Sequence, residues 1–168
     1  MSEPLEERIA VAMLERLRTI QAGTVNYEDP DPPASVVYHT TPALVTRSLL
    51  EIDQYSDFPV YGLTRGSGST YKLLTPTKAE RHLVFNIEGY VQGDVEAVAG
   101  AVLAHTRLAR AWEDVRNCFR SNQTLNRLVL SVLPDGEMDT DDGALEPQGW
   151  FRQPYRIHVN ETLPPLAA

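Results

Sequence analysis

The sequence predicts an α+β protein: a mainly antiparallel sheet with an N-terminal helix and one long helix packed on one face. Apolar residues near the N-terminus recur at helical spacing, two later stretches alternate apolar and polar residues, and an alanine-rich helical segment lies between those stretches. The order is therefore helix, strands, helix, strands. With no internal repeat, it fits helices gathered on one face of an antiparallel sheet.

The opening helix is read from Pro4 to Gln21, where Leu5, Ile9, Met13, Leu17 and Ile20 form one stripe. Ser2 is its expected cap, Glu6 and Glu7 suit the positive end of the helix dipole, and Gly23 is placed to end it. A short strand, Thr24 to Tyr27, precedes the proline-rich acidic loop Glu28 to Pro33. Strands are expected over Ala43 to Ile52 and Phe58 to Thr64, followed by a flexible loop from Gly66 to Lys78. In Arg81 to Val91 the residues Leu83, Phe85, Ile87 and Val91 share one face, the period of a half-buried strand. Asp94 is the expected cap of a long helix from Val95 to about Asn122, with Val95, Val98, Val102, Ala109, Trp112 and Phe119 as its apolar stripe. Strands over Arg127 to Leu133 and Trp150 to Asn160 close the domain, joined by the acidic connection Pro134 to Gly143. One domain covers 1–168, with a loose tail over 162–168.

The 168 residues are 42% apolar and 23% charged, ordinary globular usage, with a net charge of −8 and a pI near 4.9. This acidity argues against a stable nucleic-acid complex, which needs clustered cations, but is compatible with DNA passing without sticking. The lone Cys118 excludes an intrachain disulfide and suits a reducing compartment. The acidic N-terminus shows no apolar signal-peptide core, and no stretch approaches the roughly 20 apolar residues of a membrane helix.

The motifs that carry chemistry are incomplete. Glu137, Asp139 and Asp141 alternate like calcium-loop ligands, but Gly143 comes one place late and Gln148 stands where a glutamate is needed. A solvated acidic turn, with Asp139, Asp141 and Asp142 as candidate channel-facing residues, is the expectation. His39, His82, His105 and His158 are dispersed. His105 is expected to pack near the helix stripe, and His82 and His158 to occupy exposed strand faces. Cys118 lacks a neighbouring histidine and reads as an inert, partly buried thiol. Gly66-Ser67-Gly68-Ser69-Thr70-Tyr71-Lys72 fails the phosphate-loop pattern. Tyr71, Lys72, Leu73 and Leu74 in the Gly66 to Lys78 loop are candidate interface residues. Tyr90 and Trp150, on the outer sheet face, suit either an interface or packing against a loop. No catalytic, cofactor-binding or metal-binding residue is assigned.

One resemblance covers about Leu5 to Glu161. It rests on the helix from Leu5 to Ile20 and on the strand Phe58-Pro59-Val60-Tyr61. The segment Arg81-His82-Leu83-Val84-Phe85-Asn86-Ile87-Glu88-Gly89-Tyr90-Val91 then runs into a long helix bearing Trp112-Glu113-Asp114-Val115. Leu125 and the strand after it follow, and Tyr155-Arg156-Ile157-His158-Val159 closes the series. In this order the chain resembles the tail-terminator proteins of long-tailed bacteriophages, also called tail-completion or neck proteins. The resemblance implies a non-enzymatic virion protein without cofactors. Such a protein forms a hexameric ring that caps the tail tube, stops its polymerisation and provides the head-to-tail joining surface. The implied partners are copies of itself, the tail tube protein and the head-completion or connector protein. DNA would pass through the ring without adhering, and no membrane is involved. The implied location is the virion tail or neck, with the host cytoplasm during assembly. The stretch Glu28 to Pro33 and the connection Asp135 to Gly149 depart from the pattern. The alternatives are another neck ring, such as a stopper or adaptor, and a small α+β ligand-binding protein or enzyme. The last predicts a deep apolar pocket lined by perturbed ionisable groups.

Overall fold

The structure, a computed structural model, describes residues 4–24, 37–49, 51–94, 102–141, 145 and 147–162. Among these it is an α+β fold with two α-helices and a seven-stranded, mostly antiparallel sheet. The elements are α1 (Leu5–Arg18), β1 (Leu44–Thr46), β2 (Val60–Arg65), β3 (Thr70–Thr75), β4 (Lys78–Gln92), α2 (Ala104–Arg120), β5 (Ser131–Pro134), β6 (Asp139–Thr140) and β7 (Gln148–Thr162). The strand order is β1-β2-β4-β7-β5, with β3 added to β4 and β6 to β7. Only β1 and β2 run parallel.

The long pair β4 and β7 is the axis of the sheet. It is in register without a bulge from Lys78↔Thr162 to Gln92↔Gln148. Alternation fixes the two faces, because neighbouring side chains point to opposite sides of a strand. Ala79, Leu83, Phe85, Ile87 and Val91 of β4 and Phe151, Tyr155, Ile157 and Val159 of β7 are buried on the inner face. Both helices pack there. Helix α2 contributes Ala104, Leu108, Ala111, Val115, Cys118 and Phe119, and α1 contributes Ile9, Met13, Leu14 and Leu17. The helices are tied together by Arg16, whose Nε donates to the Cys118 carbonyl at 3.0 Å and whose guanidinium also bonds Ser121 Oγ. Asp114 adds a polar anchor. Its buried carboxylate accepts the His39 N–H (2.9 Å), the Thr40 N–H (2.7 Å) and the Thr40 hydroxyl (2.7 Å), fixing the segment before β1 against α2.

Several sequence expectations need correction. The segment from Gly66 to Lys78 is not a loop throughout: Thr70–Thr75 is a strand paired with the start of β4. All six of its residues are exposed, so no apolar alternation announced it. The long helix is described from Ala104, with Val102 and Leu103 before it not helical; Val95 and Val98 lie outside the described residues. Asp94 does not cap that helix; its carboxylate accepts the Val102 N–H (3.0 Å) and meets Arg107 (2.9 Å). On α2, Ala109 and His105 are exposed and Trp112 is only partly buried, because the buried stripe runs through Leu108, Ala111 and Val115 instead. The strand expected from Arg127 begins at Ser131. Leu125, Asn126 and Arg127 have φ of 46°, 57° and 69°, left-handed backbone that no strand accommodates. The strand expected over Ala43 to Ile52 is confined to Leu44–Thr46, followed by a short 3-10 turn at Ile52–Gln54. Helix α1 ends at Arg18, and Gly23 (φ +78°) serves the turn beyond it. Its expected cap, Ser2, the proline-rich loop, Val25 to Tyr27 of the short strand, and the tail 163–168 lie outside the described residues.

Gly89 has a packing role. It pairs with Tyr61 on β2 and with Phe151 on β7, so the three form one row on the inner face. The two rings meet edge to face above it, with centroids 6.2 Å apart. A Cβ at Gly89 would stand 2.2 Å from Phe151 Cε1. Gly89→Ala therefore overpacks the core and is expected to cost about 1–3 kcal/mol. Urea unfolding should show a lower midpoint with an unchanged slope.

Candidate functional site

With both helices on the inner face, the outer face of β4 and β7 and the sheet margins are the candidate functional surface. Beyond the end of β2, β5 and then β3 flank the central pair, in the order β3-β4-β7-β5. One rung crosses all four: Thr70, His82, His158 and Ser131. Both margins of this patch are apolar. On β3, Tyr71 and Leu73 are each 56% exposed and Leu74 is 48% exposed, with Lys72 exposed between them. At the opposite margin, Leu133 of β5 and the preceding Leu130 are about half exposed. A strand edge also presents unpaired backbone N–H and C=O groups, which template the addition of another strand.

The other two interface candidates lie elsewhere. Tyr90 and Trp150 are directly opposite each other on the outer face. They stand roughly 30–40 Å along β4 from the level of Tyr71 and Leu73, at about 3.4 Å per residue. Both are partly buried. Tyr90 lies against Tyr55 with ring centroids 6.0 Å apart, and the Arg152 guanidinium covers Trp150 at 5.6 Å. Burial, with Glu88 and Tyr55 nearby, raises the Tyr90 phenol above its ordinary pKa. The structure thus gathers Tyr71, Lys72, Leu73 and Leu74 into one patch, pairs Tyr90 with Trp150, and separates the two groups.

The acidic connection is held by the protein's own cations. Asp139 meets Arg152 and Asp135 meets Arg156, each at 2.8 Å. Asp141 is structural: its carboxylate accepts the N–H of Trp150 (2.9 Å) and of Leu145 (3.1 Å). Asp142 lies outside the described residues. Two half-open grooves flank α2. One of about 240 Å³ is lined by His39, Pro59, Arg107 and Arg110, and one of about 410 Å³ by Trp112, Met138, Gln153 and Tyr155.

The histidines divide into two sets. His105 is exposed on α2, and His39 Nε2 lies 3.7 Å from Glu113. His82 and His158, far apart in the chain, face each other across β4 and β7 with ring centroids 4.6 Å apart. Glu80, two residues before His82, reaches both: its Oε1 is 3.2 Å from His82 Nε2 and 2.8 Å from His158 Nε2. The hydrogen bond from His82 holds the Glu80 carboxyl below its usual range. Alternation places each residue on a polar strand face, but only the register of β4 with β7 brings them together.

Cys118 is fully buried, and its Sγ lies 3.2 Å from the Arg16 carbonyl oxygen. Burial pushes the thiol up to about 11. Asp114 is likewise raised by burial, against three donations that favour its charged form. Among the described residues no helix is long and apolar enough to cross a membrane. The chain matches no model of a known protein family, and no curated protein resembles it in sequence.

The raised Cys118 pKa has a consequence for stability. The folded protein retains a proton that the unfolded chain releases above about pH 9, so this contribution is intact below pH 9 and lost as pH rises toward 11. It amounts to about 3 kcal/mol. Melting temperatures measured from pH 9 to 11 should fall more steeply for the native chain than for Cys118→Ala. Equal slopes would assign the alkaline loss to the buried Tyr61 and Tyr155 phenols, which burial also raises.

Proposed function

We propose that this protein is a ring-forming assembly subunit of the tail-terminator kind, which caps a phage tail tube and offers its other side to the head connector. The observation that carries this reading is the pair of unlike apolar margins on the four-stranded patch. Tyr71, Leu73 and Leu74 line one margin and Leu130 and Leu133 the other, with β3 and β5 sharing the single rung Thr70-His82-His158-Ser131 and extending from it in opposite directions along the sheet. Two different edges on one subunit favour head-to-tail contacts, which close into a ring when the rotation allows. The strand directions agree with this. Neighbours in β3-β4-β7-β5 are all antiparallel, so β5 of one copy meets β3 of the next in antiparallel sense under rotation about an axis along the strands. Strand addition then extends one sheet from copy to copy, using backbone hydrogen bonds for affinity and the exposed leucines for specificity. The net charge of −8 fits a passage through which DNA slides without binding.

A ring that matches the tube on one side only is sufficient to stop growth, because the next tube ring then lacks its template. The subunit contacts need not be strong in solution, since several linked contacts on a tube end act multivalently. Leu73→Asp and Leu133→Asp each place a charge in the expected contact while altering an exposed position. Folding stability should change by no more than about 0.5 kcal/mol. Ring formation on tube ends, followed by electron microscopy, should be lost in both. Rings that persist with both charges present remove β3 and β5 from the interface. Deleting the gene in its phage should yield tails of abnormal length and filled heads left unjoined. Tails of normal length that still fail to join heads would sink the terminator reading and favour another neck ring.

A further inference from the structure

We propose that Glu80, His82 and His158 form a binding site for one divalent transition-metal cation of the zinc class. This does not rest on the assembly reading. The site is built on the two most firmly paired strands: His82 and His158 are register partners, and Glu80 shares their outer face two residues along β4. Rigid strands hold ligand atoms more closely than loops do. One ligand atom from each residue lies within 4.8 Å of the others. A tetrahedral ion with bonds of about 2.0–2.2 Å needs ligand atoms roughly 3.3–3.5 Å apart. Glu80 Oε1 already stands 3.2 Å and 2.8 Å from the two Nε2 atoms, so these two contacts reach ligand spacing with shifts of about half an ångström.

A second observation favours an ion over a simple carboxylate bridge. His158 Nε2 is shielded from solvent, and its one close contact, 2.8 Å from Glu80 Oε1, falls short of a well-directed hydrogen bond. Glu80 Oε1 has a hydrogen-bond partner in His82. A shielded ring nitrogen whose only contact is poorly directed is under-satisfied, and a metal bond would satisfy it. The donor set selects the cation: two imidazoles and one carboxylate suit zinc, cobalt or nickel, whereas calcium and magnesium take oxygen ligands. The three side chains are each about one-third exposed, so the ion has a path from solvent and keeps a coordination position for water. Bound there, it ties β4 to β7 at the root of the β3 hairpin.

The test uses the full chain without a histidine tag, titrated with Co²⁺ and followed by visible absorption, with Zn²⁺ then added in competition. Saturable binding of one Co²⁺ per chain is expected, displaced by Zn²⁺ and not by Mg²⁺ or Ca²⁺. His158→Gln should weaken it by roughly 100-fold and Glu80→Gln by at least about ten-fold, since losing even an outer-sphere partner costs 10–100-fold. His105→Gln, on the exposed face of α2, should leave binding unchanged. Circular dichroism checks folding, and Glu80→Gln, nearly isosteric, keeps the test decisive if His158→Gln does not fold. The absence of saturable binding, its survival in Glu80→Gln, or an equal loss in His105→Gln overturns the site.

Discussion

The fifteen-residue register between β4 and β7 is the constraint on which the rest of the structure depends. Because side chains alternate, this one alignment decides which residues enter the core and which face outward; a slip by a single residue would exchange the two sets. Phe85 and Tyr155 are buried as partners, and so are Leu83 and Ile157. The same alignment makes partners of His82 and His158 and of Tyr90 and Trp150 on the outer face. Core and candidate sites are two readings of one register. The helices confirm its polarity, since Ala111 and Val115 of α2 pack on the apolar side only.

What was legible in the sequence follows from this. Alternation at Leu83, Phe85 and Ile87, and again at Phe151, Tyr155 and Ile157, identified both central strands, because each has one dry and one wet face. Periodicity located α1 as well. Strand β3 escaped because both its faces meet solvent, so Tyr71, Leu73 and Leu74 follow no burial pattern and the glycines before them suggested a loop. Val102 and Leu103 read as helix from composition, but helix begins only at Ala104. Arg127 to Leu133 looked like a strand because Leu128, Leu130 and Val132 alternate, while the left-handed backbone from Leu125 to Arg127 carries no apolar signal.

Sites are harder to read than elements because they depend on pairing. His82 and His158 each looked like an isolated histidine on an exposed strand face. Their juxtaposition is a property of register, which periodicity within one strand does not contain. Asp141 shows the same limit in the other direction. Its acidic neighbours suggested a freely solvated turn, but the carboxylate holds the backbone of Trp150 and Leu145. Grouping Tyr90 and Trp150 with Tyr71 to Leu74 as one interface set likewise overlooked the length of β4, which places them near opposite ends of the sheet.

The narrow patch β3-β4-β7-β5 concentrates two demands. Among the described residues no strand pairs with its edges, so on the assembly reading the backbone groups of β3 and β5 are available to another strand. Among the described residues its centre has no helix on the outer face, where Glu80, His82 and His158 meet. A sheet whose edges must accept neighbours gains from a rigid centre, since any splay between β4 and β7 would spread to both margins and misalign the added strands. An ion held by residues from both strands would supply that rigidity on the open face, as the packed helices do on the inner one. On the assembly reading, the edge leucines and the histidine pair then serve the same requirement, a four-stranded patch stiff enough to be extended from copy to copy.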